Sequence, residues 1–197
     1  MQILINLTQK SFDIKIRENV TMLGGVGVEV ELKYGISEMK KSDWDQVANI
    51  YLEGIKTGIA TFQTEVPTLE AFDNSHISSC RLVASSDDNI LGWGVLSTTS
   101  SRCAYAGVAE VSIYIGDKYK GQGIGTTLLR DLIKVSEENG FWTLQSGIMK
   151  QNLWSIALHK KCGFREIGIR EKVARMNDEA WFDVVLMERR SKTVGID

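Results

Sequence analysis

Proline is almost missing: Pro67 is the only one in 197 residues. That excludes a collagen-like repeat and stiff proline-rich linkers between domains. Cysteine is scarce. Cys80, Cys103 and Cys162 lie far apart with no C-x-x-C, which argues against a zinc ribbon or a redox dithiol and suits a reduced, cytoplasmic setting. Histidine is scarcer still, with only His76 and His159. No local His-rich metal motif exists, and no metal is expected. No apolar run reaches the roughly 18 residues of a membrane helix. The opening MQILINLTQK lacks the basic flank of a secretory leader. Neither sign of charge dominates: Lys+Arg number 23 and Asp+Glu 25, for a formal charge of −2. That balance carries no footprint of a nucleic-acid partner and no acidic tail.

What is present reads as an ordinary globular chain, 43% apolar and 24% charged. Its length suits one domain that buries roughly 70% of the surface its unfolded form exposes. Residues 1–32 read as an N-terminal extension of unknown role. They hold two short alternating stretches, 12–16 and 28–32, without evident partners. The Gly24-Gly25-Val26-Gly27 run between them reads as flexible. Residues 33–190 form the domain, and 191–197 a tail.

The domain opens with a strand at 34–39. Ser42 is placed to cap a helix whose Trp44, Val47, Ile50, Tyr51 and Ile55 recur at helical spacing, with Gly58 as its stop. A loop at 61–67 and a short helix at 69–77 follow. Strands at 81–85 and 90–97 join through Ser86-Asp87-Asp88-Asn89 as a hairpin. The alternating segment 109–115 is a strand, and a helix with the stripe Ile124, Leu128, Leu132 and Val135 runs to Gly140. A strand at 142–148, a helix at 153–161 ended by Cys162-Gly163, and strands at 165–170 and 181–188 around Asn177-Asp178 complete the chain. The order β-α-α-β-β-β-α-β-α-β-β specifies an α/β fold with a mixed sheet and helices on both faces.

The strongest chemical signal is the strand–glycine loop–helix unit that starts at Glu110. Gly121, Gly123 and Gly125 alternate just before the helix. Glycines there let backbone N–H groups converge without Cβ obstruction, and the helix N-terminus favours a phosphate or pyrophosphate. A plain glycine-rich turn is the competing reading. The Walker-type loop is excluded because no Lys follows the last glycine. The dinucleotide fingerprint fails because Leu128 holds its third glycine position, which disfavours a dinucleotide oxidoreductase.

Lys120-Gly121-Gln122-Gly123-Ile124-Gly125 resembles the pyrophosphate loop of the GNAT acetyltransferases, with Lys120 where that family usually has Arg or Gln. Asn152-Leu153-Trp154-Ser155 and the later Gly163-Phe164 resemble its second signature. Ala60-Thr61-Phe62, Arg102, Ala104-Tyr105, Glu110, Leu158-His159 and Trp181-Phe182-Asp183-Val184 extend the resemblance to the phosphinothricin and arsinothricin N-acetyltransferase-like branch, over residues 34–190. The resemblance implies a GNAT fold: a mostly antiparallel central sheet splayed at an acetyl-CoA cleft. It implies acetyl-CoA as donor, a small amino-acid-like amine as acceptor, and a homodimer.

By the same resemblance, Glu110 is the general base that takes the proton of an α-ammonium, directly or through water. A solvated strand-edge glutamate is the bland alternative. Backbone groups of Ser112, Ile113, Tyr114 and Ile115 hold the pantetheine arm, and Lys120 to Thr126 hold the pyrophosphate. Asn152, with Ser155, bonds the pantetheine arm or caps its helix. His159 stands where many GNAT enzymes have a tyrosine that protonates the leaving thiolate; packing in the helix is its other reading. Arg102 and Tyr105 suit an acceptor carboxylate, phosphinate or arsonate, and Phe62 lines the acceptor pocket or the core. Trp181 and Asp183 read as packing and turn support. Acetylation of peptide N-termini and non-catalytic acyl-CoA binding are the alternative functions.

Overall fold

The computed structural model describes residues 15–17, 20–23, 26–29, 32–176 and 180–196, with side chains from residue 32 onward. Its strands are β1 (Lys15–Arg17), β2 (Val20–Leu23), β3 (Val26–Glu29), β4 (Leu32–Glu38), β5 (Arg81–Ser86), β6 (Asn89–Thr98), β7 (Val108–Ile115), β8 (Thr143–Met149), β9 (Arg165–Met176) and β10 (Ala180–Arg190). The helices are α1 (Trp44–Lys56), α2 (Leu69–Ser75), α3 (Ile124–Glu138) and α4 (Leu153–Lys161).

The main sheet runs β1-β4-β5-β6-β7-β8-β10-β9. Its neighbours are antiparallel except β7 and β8, which lie parallel. This is the mixed, mostly antiparallel sheet that the element order specifies. The amino-terminal segment does find a partner: β1 pairs with β4 through Ile16↔Lys33, and β2 pairs with β3. Val26 and Gly27, read as flexible, lie in β3. Residues 12–14, Gly24-Gly25 and the turn at Asn177-Asp178 lie outside the described residues.

Alternation along the strands splits the core into two layers. On one face, Ile36, Leu82, Ala84, Ala109, Val111 and Leu144 pack against Leu128, Leu129 and Leu132 of α3. On the other, Val83, Trp93 and Val95 pack against Val47 and Ile50 of α1 and Phe72 of α2. Fully burying each of the Val, Leu, Ile and Phe side chains contributes about 1.5–3 kcal/mol, before the entropy of ordering it is subtracted. Two polar bonds fix the layers laterally. Tyr34 Oη donates to Thr127 Oγ1 at 3.0 Å, and Trp93 Nε1 to the Val47 carbonyl at 3.1 Å.

Local signals mostly act where the sequence places them, with two differences. Ser42 does not cap α1. It lies inside a 3-10 turn, Lys41–Asp43, and Asp43 Oδ2 reaches back to accept the Lys40 N–H at 2.7 Å. The strand expected at 165–170 continues to Met176, and β10 starts at Ala180. Residues 171–176 lengthen the strand by pairing with the start of β10. Their partners are Phe182↔Ala174 and Trp181↔Arg175. At the irregularity in this ladder Lys172 has φ +47, and its N–H donates to Asp183 Oδ1 at 2.9 Å. That bond, with the Lys150 ammonium at 3.1 Å from Oδ2, holds the Asp183 carboxyl below the ordinary range. Asp183 is turn support, as the sequence suggests.

Candidate active site

β7 and β8 pair only at Val108↔Thr143, Ala109↔Leu144 and Glu110↔Gln145. Beyond Glu110 the two strands part, while β7 stays laddered to β6 as far as Ile115↔Gly92. The splay leaves the β8-facing side of Ser112, Ile113, Tyr114 and Ile115 without a ladder partner among the described residues. Glu110 is half-buried at the fork, on the α1 face.

The glycine loop starts where β7 ends. Gly121 and Gly123 have φ +77 and +80, a left-handed conformation that costs other residues strain. Gly123 is the N-cap of α3, and no side chain caps that helix. The Thr126 N–H donates to the Gly123 carbonyl at 3.0 Å, and the N–H groups of Ile124 and Gly125 ahead of it have no side-chain cap, which fits a pyrophosphate. Gly125 serves packing instead: a Cβ there would meet Leu158 Cδ2 at 3.3 Å, so it lets α4 approach α3. Ile124 and Thr126 are buried in the helix base. Lys120 pairs with Asp117 rather than crossing the loop, and Gln122 Nε2 braces the Lys118 carbonyl at 3.0 Å. Glu53 of α1 accepts the Asp117 N–H at 2.8 Å and so anchors the lead into the loop. Sequence reading missed Glu53 because its partner lies far along the chain.

The acceptor side is assembled from distant segments. Tyr114 stacks on Trp93 with centroids 4.5 Å apart and touches Tyr51 at 4.9 Å. Burial, then the neighbouring Tyr51, pushes the Tyr114 phenol well above its ordinary range, so it stays neutral. Its hydroxyl donates to the Ala60 carbonyl at 3.5 Å, tying down the loop that carries Phe62. Phe62 meets Phe182 of β10 edge-on at 6.0 Å. Arg102 and Tyr105 sit in the β6–β7 connection, and both are exposed. The Arg102 guanidinium has no ion-pair partner among the described residues, so it is available to an anionic group.

Asn152 takes the helix-capping role, and His159 is enclosed. Asn152 Oδ1 accepts the Ser155 N–H at 3.1 Å, which caps α4, and its Nδ2 donates to the Ile59 carbonyl at 3.3 Å. It thus joins α4 to the loop that carries Phe62. His159 is 1% exposed. Its Nδ1 donates to the Ser155 carbonyl at 2.8 Å, while Nε2 is enclosed with no partner. The ring stands edge-on to Phe164 at 4.9 Å. Burial pulls its pKa below the imidazole range, with the Ser155 carbonyl opposing. A neutral ring protonated at Nδ1 has no proton at Nε2 to give, and neither nitrogen reaches the cleft surface.

This burial has a pH signature. Burial also lowers His76, the only other histidine. The unfolded chain takes up protons on both rings below pH about 6.5, whereas the folded protein resists them. This contribution to stability is therefore fully present above that pH and is lost as pH falls below about 6.5 towards the lowered pKa of the folded rings. Melting temperatures across that window should fall, and the fall should be shallower in His159→Gln. An equal slope in that variant would mean that the folded ring charges freely.

The model of the Acetyltransferase (GNAT) family matches residues 44–164, which contain the fork, the glycine loop and α4. The chain belongs to the GNAT acetyltransferase family. Among GNAT relatives, a phosphinothricin N-acetyltransferase of Alcaligenes faecalis is 31% identical over 172 residues, covering 83% of this chain and 86% of its own. An L-methionine sulfoximine/L-methionine sulfone acetyltransferase of Pseudomonas aeruginosa is 31% identical over 84 residues, 43% of this chain and 48% of its own. A GNAT phosphinothricin acetyltransferase of Sinorhizobium meliloti, solved in complex with AcCoA, superposes with a TM-score of 0.71 at 25% identity, covering 83% of this chain and 96% of its own. The chain is an N-acetyltransferase of this GNAT type. No helix among the described residues is long and apolar enough to cross a membrane.

Proposed function

We propose that the protein transfers the acetyl group of acetyl-CoA to the α-amine of a small amino-acid-like acceptor of the phosphinothricin, methionine sulfoximine or arsinothricin type. One observation carries this reading. Glu110, a half-buried carboxylate, stands at the fork where β7 leaves β8, and the freed edge of β7 leads from it towards the uncapped N-terminus of α3. A donor seated on the α3 amides runs its pantetheine arm into the splay, along Ser112, Ile113, Tyr114 and Ile115. Glu110 accepts the ammonium proton, and the free amine attacks the thioester carbonyl. The developing oxyanion is stabilised by an amide of the freed β7 edge. The tetrahedral intermediate collapses with loss of the coenzyme A thiolate. The remaining surplus proton of the attacking nitrogen passes through water to that thiolate, whose ordinary pKa of about 8.5 keeps it protonated at neutral pH, and Glu110 returns its proton to solvent. His159 acts here as a positioning residue for α4. Arg102 and Tyr105 meet the acceptor's anionic end, and Phe62, braced by Phe182, closes the pocket.

The catalytic unit in this proposal is residues 33–190, working as a homodimer. The unpaired edge strand β9, which exposes Ile167, Ile169 and Val173, supports the second part. The test is a thiol-release assay with acetyl-CoA across free amino acids, phosphinothricin, methionine sulfoximine, arsinothricin and short peptides. Turnover should concentrate on α-amino acids with a tetrahedral oxyacid or sulfoximine end. Strong activity on peptide N-termini with none on free amino acids would overturn the acceptor assignment.

A further inference from the structure

Gly147 lies in β8, just beyond the last rung that ties β8 to β7. Its neighbours Ser146 and Ile148 are buried on the α3 side, so Gly147 belongs to the opposite face, with Gln145 and Glu110. It is exposed. A glycine inside a strand costs stability, and it is justified by special backbone geometry or by close approach of something else. Gly147 has no positive φ, so the backbone does not require it. Its surroundings supply the other explanation. A Cβ at this position would lie 3.7 Å from Glu110 Oε1 and 3.3 Å from Val184 Cγ1. The carboxylate thus reaches across the mouth of the splay to the one place where β8 has no side chain.

We infer that Gly147 is a specificity-determining residue: by leaving Glu110 uncovered on the β8 side, it makes room for an acceptor branched at the carbon that bears the reacting amine. The inference rests on the proposed role of Glu110. An α-amino acid carries both a carboxylate and a side chain on that carbon, so the base must be open on the side where one of them lies. An unbranched primary amine needs less room. Val184 forms the far wall of this opening, and a side chain at 147 wedged between Val184 and Glu110 fills it.

The test compares wild type with Gly147→Ala and Gly147→Val. Valine suits an exposed strand position, and the alanine variant keeps the test valid should valine disturb the fold. For an α-amino acid acceptor, kcat/KM is expected to fall about tenfold in Gly147→Val and less in Gly147→Ala. An unbranched amine should lose little, and the KM for acetyl-CoA should stay within about twofold. A second readout does not depend on knowing the acceptor. Carbodiimide-promoted coupling of methylamine to Glu110, followed by peptide mapping, reports how open the carboxylate is. Coupling at Glu110 should drop at least about fivefold in Gly147→Val and stay constant at exposed Glu70. Equal coupling in the variants, or equal losses for branched and unbranched amines, would overturn the inference. A wild type that couples at Glu110 yet acetylates no small amine would overturn the proposed function and leave the opening itself demonstrated.

Discussion

Glu110→Gln is expected to lower turnover at neutral pH by about 10²–10⁴-fold, the usual span for a positioned general base. Glutamine keeps the shape and the half-buried packing at the β7–β8 fork but cannot take a proton. The donor is held elsewhere, on α3 and the freed edge of β7, so the affinity for acetyl-CoA should barely change. The defect should narrow as pH rises, because a growing share of the acceptor's ammonium then sheds its proton unaided. Steady-state kinetics at several pH values measure both effects. Near-normal turnover of the variant at pH 7 would remove Glu110 as the base.

Gly123→Val should be the most damaging change on the donor side. Gly123 holds φ +80 at the N-cap of α3. A β-branched residue in that conformation costs about 1–3 kcal/mol, or the loop escapes the strain by rotating its amides away. Either route weakens the anion site, and we expect coenzyme A affinity to fall about 10²-fold, equivalent to about 2.7 kcal/mol. Calorimetric titration with coenzyme A reads this directly. Gly168→Ala is the control, since a Cβ at Gly168 meets nothing within 4 Å and the position has no positive φ. Unchanged affinity in a folded Gly123→Val would mean that the donor phosphates sit elsewhere.

The donor half of the site was legible because its determinants are local. Alternating glycines, the strand before them and the helix after them all fall within one stretch of chain, and their geometry follows from glycine's freedom at positive φ. Gly125 shares that spacing, but its reason is the approach of Leu158, which no local pattern contains. The acceptor half was legible only as residue types. Asn152 matches a ligand position, yet its amide is divided between the Ser155 N–H and the Ile59 carbonyl. His159 matches a proton donor, yet Phe164 and the Ser155 carbonyl enclose it. Whether a polar side chain on α4 faces the cleft or the sheet depends on how that helix packs. Gly147 gave no signal, because a lone glycine in a strand acquires meaning only from the carboxylate opposite. The outer half of β9 was missed because what extends it is the ladder to β10, which no local pattern contains.

The strand order also sets when the site can exist. β10 is made after β9, yet it lies between β8 and β9. β9 pairs with β10 alone, so it has nowhere to dock until the carboxyl-terminal strand arrives. During synthesis the glycine loop and α3 can fold behind an open β8 edge, and the donor half is complete while Phe182 has yet to reach Phe62. For that interval the chain carries an unpaired hydrophobic edge, the type of surface that draws chaperones or stray strands. Emergence of β10 then completes the sheet and brings Phe182 to Phe62.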